Sequence, residues 1–219
     1  MGRDLFRAVV HGVRTSTTVV VWVTGLSAMI GLAAGAVAGY LGGAVDRLLL
    51  RATELVQSIP RFFLALLVLS VFDRSLRNLV LVLGFTSWTL LARVVRAETL
   101  SIRTRGFVES SRSSGATGSR ILLRHVLPNV FPTAAVVVAL GASRVVLLEA
   151  GLAFLGLSDQ NQMSLGLLVN NAQNYLDQAW WMSVFPGSAI AFMVLGINFV
   201  ADALTDALNP LLERTEAAT

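Results

Sequence analysis

Residues 107–132 read FVESSRSSGATGSRILLRHVLPNVFP, a polar stretch that interrupts long apolar runs. Val108 to Ser114 is long enough for a short helix. Gly115 and Gly118 follow, and glycine takes positive φ without steric cost, so a turn is expected there. Ile121 to Val126 is read as a second helical turn ending near Pro128, where the next apolar run starts. The expected shape is a helix–turn–helix bulge at a membrane face, suited to docking another protein.

The flanks set the solvent. Only 14% of the 219 residues are charged, against about 25% in a soluble domain. A bilayer core is about 30 Å thick and needs roughly 20 mostly apolar residues per helical crossing. About five such spans are predicted, at 17–40, 52–72, 78–97, 128–149 and 184–205, within a single transmembrane domain covering 1–219. The ten-residue alternation of a membrane barrel is missing. The fold class is all-α integral membrane.

The first span is rich in small residues (Gly25, Gly31, Gly35, Gly39), which let helix backbones approach closely in lipid. The second holds Glu54, Gln57 and Arg61 beside Pro60, so it is expected inside a bundle, where neighbours satisfy the opened backbone. Gln57 and Arg61 are candidate pathway residues; Arg61 also reads as a side chain snorkelling to headgroups. Arg144, in the fourth span, is read as pairing with Glu149, a neighbouring helix or another subunit, or as touching substrate. Gln160 to Gln178 is an Asn/Gln-rich segment, read as touching a partner or capping the bundle. Trp180 and Trp181 stand where an aromatic belt is expected.

All seventeen basic residues are Arg, for a net charge of +4. Placing the 98–127 loop and the C-terminus in the cytoplasm gathers Arg47, Arg51, Arg93, Arg96, Arg103, Arg105, Arg112, Arg120, Arg124 and Arg214 on that side. Arg3, Arg7, Arg14, Arg74 and Arg77 lie opposite, with the N-terminus. The bias favours this orientation and explains the basic charge without nucleic acid. No cleavable signal peptide is evident. Without Cys there are no disulfides or thiolate metal sites, and His11 and His125 stand alone. Without Lys there is no phosphate-binding G-x-x-x-x-G-K-[ST] loop. A membrane-embedded enzyme would need polar groups converging within several spans, and only Glu54, Gln57 and Arg61 approach that.

The loop resembles the cytoplasmic motif of binding-protein-dependent ABC importer permeases: Glu-Ala-Ala, three residues, Gly, nine residues, an apolar position, one residue, Leu-Pro. Glu109, Gly115, Leu127 and Pro128 match with spacing intact. Ser110 and Ser111 stand at the Ala positions and His125 at the apolar one. "GRDLF" at 2–6, "AGYLGGAVD" at 38–46, "RHVLPN" at 124–129, "FLGL" at 154–157, "FPG" at 185–187 and "FVADALTDALNPLL" at 199–212 resemble the C-type permease of the dipeptide/oligopeptide/nickel branch. Leu165-Gly166 stands where that branch often has Trp-Gly.

The resemblance implies the type I importer permease fold, here without the branch's usual first helix. It implies no catalysis and no cofactor on this chain; ATP and Mg would sit on partner ATPase subunits. The implied partners are a second, B-type permease, two ATPase subunits, an external substrate-binding protein, a peptide substrate and the lipid of a bacterial inner membrane. Glu109, Ser110, Ser111, Gly115, Ala116, Leu127 and Pro128 would form the ATPase-coupling knob, with Glu109 capping or ion-pairing its helix. Alternative readings are a nickel or glutathione-like substrate, or a truncated, non-transporting assembly protein.

Overall fold

The computed structural model describes residues 4–159 and 161–208. Gly2, Arg3, Gln160, Arg214 and the 209–212 end of the closing segment lie outside the described residues. The helices are α1 (Leu5–Leu41), α2 (Gly43–Ser58), α3 (Arg61–Val71), α4 (Leu76–Ile102), α5 (Gly106–Ser113), α6 (Gly118–Ile121), α7 (Leu127–Phe154), α8 (Leu165–Ala172) and α9 (Trp181–Leu208). A π-helical turn, Leu122–Val126, joins α6 to α7.

Four stretches are long and apolar enough to cross a bilayer: α1, α4, Gly118–Phe154 and α9. The expected second span, 52–72, falls across two helices, α2 and α3, which together are apolar enough to cross and are bent by 73° at the break between them. Pro60 is the cause. It lacks an N–H, disfavours helical geometry in Ile59 before it, and sits extended itself at φ −58°, ψ 124°. Other helices outrun their expected bounds. α1 begins at Leu5 because the Asp4 carboxylate accepts the Arg7 N–H at 3.2 Å, an N-cap that apolarity alone does not reveal. α4 runs on to Ile102, so much of the expected 98–127 loop is helical.

Contacts gather in two compact units. The first draws on Met1–Leu26, Ile59–Ser87 and Leu140–Phe199. Its core comprises Val19 and Val23 of α1, Ala65 and Leu69 of α3, Leu79 and Leu83 of α4, and Val145 and Leu152 of α7. These repeat at helical spacings of four and seven, which keep one face inward. Ile190, Met193, Val194 and Ile197 of α9 pack against that core.

The second unit draws on Ser27–Ser58, Trp88–Ala139 and Val200–Thr219. Here Gly31, Gly35 and Gly39 of α1 lie against the α4 backbone. A Cβ added to Gly35 would sit 2.5 Å from the Ala92 carbonyl oxygen and 2.9 Å from Val95 Cβ. Beyond them Gly42 (φ +69°) and Gly43 (φ +58°) reverse the chain into α2, a backbone geometry that glycine adopts without penalty. Arg103, just past the end of α4, donates to the Gly39 and Tyr40 carbonyls at 3.2 and 3.0 Å, serving the open acceptors at the end of α1. Arg96 grips both carboxylate oxygens of Asp46 in the first turn of α2, with Nη2 to Oδ2 at 2.6 Å, a bidentate pairing.

Gly35→Ala forces a Cβ into the α4 backbone and should destabilise by about 1–3 kcal/mol, as overpacking does. Gly25→Ala meets no atom within 4 Å and should be near neutral. Thermal melts of the purified protein check this; equal shifts for the two variants would contradict the close approach.

Candidate functional site: a docking knob

The knob is α5, a turn, and α6 with its π-helical continuation. α5 points its first-turn Glu109 and last-turn Arg112 as the helix dipole favours. Its end is a Schellman motif: Gly115 N–H reaches the Arg112 carbonyl at 3.0 Å and Ala116 N–H the Ser111 carbonyl at 3.1 Å. That closure places residue C′ in the left-handed region, and Gly115 sits at φ +80°. Open space surrounds its would-be Cβ, so backbone conformation, not crowding, demands glycine here.

Val108, Ile121 and Val126 are fully buried and anchor the knob to Ile102 and Val95 of α4, Val130 of α7 and Ala36 of α1. Of the expected coupling residues, Glu109, Ser110, Gly115 and Pro128 are exposed, while Ser111, Ala116 and Leu127 are half-buried. Ala116 and Leu127 pack on the same core. The Ser111 hydroxyl donates to its own helix, at the Phe107 carbonyl, 2.8 Å away. Among the described residues Glu109 makes neither the expected cap hydrogen bond nor an ion pair; its carboxylate faces out.

Ser110, Ser111, Ser114, Gly115, Ala116, Arg120 and His125 line an open concavity of ≈ 370 Å³. Phe107 and Leu123 are exposed on the knob at 41% and 64%. This surface offers hydroxyls, an Arg and two apolar side chains to a partner.

Pro128 does not end a helix as expected. It lies second in α7, and the turn before it widens into the π form. Proline removes a backbone donor and its ring crowds the preceding turn, which the extra residue of a π turn relieves. Asn129 Nδ2 donates to the His125 carbonyl at 2.6 Å.

The pathway candidates fall in different units. Gln57, in the second, donates to Thr89 Oγ1 at 2.9 Å; Arg61, in the first, is half-buried. Arg144 is exposed on α7 and does not pair with Glu149, whose carboxylate accepts from Ser16 instead. The ion pair that sequence reasoning missed is Asp46–Arg96. Its only signal was the placement of Asp46 just after Gly-Gly in AGYLGGAVD. Among the described residues no group of three or more His, Asp or Glu is placed to hold a metal.

Among the described residues, helices long and apolar enough to cross a bilayer thus carry a polar knob seated on buried apolar side chains. Residues 31–214 match the family described as binding-protein-dependent transport system inner membrane component, and the chain belongs to that family. It is 34% identical over 210 residues to the oligopeptide transport system permease protein OppC of Haemophilus influenzae, covering 95% of this chain and 68% of the relative. The dipeptide transport system permease protein DppC of Alkalihalophilus pseudofirmus is 31% identical, with 97% and 70% covered. The glutathione transport system permease protein GsiD of Pectobacterium atrosepticum is 33% identical, with 97% and 71% covered. The fold is that of an inward-facing structure of the MetNI methionine ABC transporter, at TM-score 0.79 and 21% identity over 95% of this chain and 100% of that one. The chain is thus a non-catalytic ABC importer permease subunit.

Replacing Gly115 should order by tolerance of the left-handed region. Asn visits it readily, whereas a β-branched residue loses about 1–2 kcal/mol there. Gly115→Val should lower the melting temperature and Gly115→Asn should nearly preserve it. Indistinguishable melts would remove the Schellman closure from the account.

Proposed function

We propose that this chain forms half of the translocation pathway of a peptide importer in a bacterial inner membrane. The observation that carries the reading is the knob: a hydroxyl- and Arg-bearing surface, rigidly seated on the buried Val108, Ile121 and Val126, at the matched motif. The similarity to OppC and DppC over nearly the whole chain supports di- or oligopeptides as substrates. The whole chain acts as one permease domain beside a second permease subunit. Two ATPase subunits engage the knobs, and an external binding protein delivers the peptide. Charge bias supports a cytoplasmic knob and C-terminus.

ATP-driven closure of the ATPases moves the knob as a rigid body. Bistable packing then converts that movement into alternating inward- and outward-open states. Glu109, Ser110 and Ser111 present the contact surface, Gly115 and Ala116 close its helix, and Leu127 and Pro128 join it to α7. Gln57 and Arg61 serve the pathway.

Gentle purification from the native membrane should recover the second permease, the ATPases and a peptide-binding protein. Recovery of the chain alone, stable and unaccompanied, would favour a non-transporting assembly protein. Gly115→Asp should abolish uptake, because an unpaired charge held at a buried contact costs about 3–5 kcal/mol. Normal uptake by that variant at normal membrane abundance would sink the coupling role.

A further inference from the structure

The charged group that the importer reading leaves unused is Glu149. It is 1% exposed on α7, among apolar neighbours. Ser16 Oγ of α1 donates to its Oε2 at 3.0 Å, and Ser164 lines the same small cavity as the carboxylate. Each serine also serves α8. Ser16 Oγ accepts the Leu165 N–H and Ser164 Oγ the Leu167 N–H, both at 3.4 Å. Glu149 thus reaches the first turn of α8 through the Ser16 hydroxyl, on the side where a helix dipole favours negative charge.

The surroundings fit a seat built for α8. A Cβ on Gly12 would lie 3.2 Å from the Leu165 nitrogen, and one on Gly166 would collide with the Ala150 carbonyl. Asn170 Nδ2 donates to the Phe154 carbonyl at 2.5 Å. Beside the carboxylate is a cavity of ≈ 10 Å³, walled by Val19, Leu76 and Leu79 on its apolar side and by Thr15, Glu149, Ser158, Asp159, Gln162 and Ser164 on its polar side, about the space one water needs. Ser158 is 5% exposed, yet its hydroxyl has no partner. A buried hydroxyl without a partner marks a site for an ordered water.

We propose that this cavity holds one water bridging Ser158 and Glu149, and that Glu149 is a positioning residue that seats α8 for docking of the external binding protein. The docking step rests on the importer reading. The segment follows the end of α7 away from the Arg-rich loop in sequence, and the charge bias puts it outside the cell. Its neighbourhood is polar and exposed at Asn171, Asn174, Asp177 and Gln178, as suits a soluble partner that binds and leaves. With Glu149 absent, Ser16 loses its acceptor, and the hydroxyl that meets the first turn of α8 is no longer held in place.

The test uses the complete transporter in liposomes. The chain has no cysteine, so Ala172→Cys, at a position 0% exposed, reports seating by its labelling with an impermeant maleimide. Glu149→Ala should speed labelling at least about tenfold, since local opening sets access. It should also raise the half-saturating concentration of binding protein about fivefold, leaving basal ATP hydrolysis unchanged. Glu149→Gln keeps the shape and an acceptor, and both readouts should stay within about twofold of the parent. Unchanged labelling in Glu149→Ala, or a Gln variant as impaired as the Ala variant, overturns the positioning role. Should Glu149→Ala not assemble, Ser16→Ala is read by the same labelling. A density map resolving ordered water should show one between Ser158 and Glu149; an empty cavity overturns that part. Failure of any binding protein to stimulate the parent transporter would count against the importer reading, while the labelling result still decides the seat.

Discussion

The approach of α1 to α4 through Gly31, Gly35 and Gly39 is the constraint on which the second unit depends. Lipid supplies no hydrophobic drive between helices, so backbone contact through small residues does the holding. Once the two backbones touch, Arg96 on α4 and Arg103 just past its end meet the start of α2 and the end of α1. Arg103 satisfies carbonyls that a bilayer cannot, and Arg96 fixes Asp46. The following residues, Ile102 and Val108, then fall into the same core as Ala36 and Tyr40. The knob is rigid because the helix pair beneath it is.

The first unit solves the same problem with hydroxyls instead of guanidinium groups. Ser16 donates to the Glu149 carboxyl and accepts the Leu165 N–H, so a buried acid and the open end of a helix share one hydroxyl. Both solutions keep polar groups away from hydrocarbon, where an unmatched one costs several kcal/mol. Arg74 adds a surface version, donating to the Gly156 carbonyl at 3.1 Å just past the end of α7.

Much of this was legible in the sequence, for identifiable reasons. The spans follow from apolar length, the α1 packing face from a four-residue glycine repeat, and the knob's turn from Gly115. Less visible features depended on partners distant in sequence. Asp46 and Arg96 are fifty positions apart, and each alone reads as an ordinary charge near a membrane surface. Glu149 was placed near Arg144 because they share a helix, yet five residues apart they point to different faces, and the acid turned to Ser16. Pro60 announced disruption but not its size; a bend needs the flanking helices to find separate seats. Pro128, read as a stop, was absorbed by a wider turn, a choice that depends on the neighbouring core and not on the proline.

The π turn at Leu122–Val126 gives the chain a spare residue. A π turn holds one more residue than an α turn, and each residue of an α-helix advances the face by about 100°. The face presented by Gly118–Ile121 is therefore phased separately from the face of α7. Sliding the spare residue by a position would re-aim the knob while every backbone group kept a partner. The continuous helix has here a place where rotation is stored in sequence length, and excising one residue from the turn would swing the knob round while Glu109, Ser110 and Ser111 keep their places in α5.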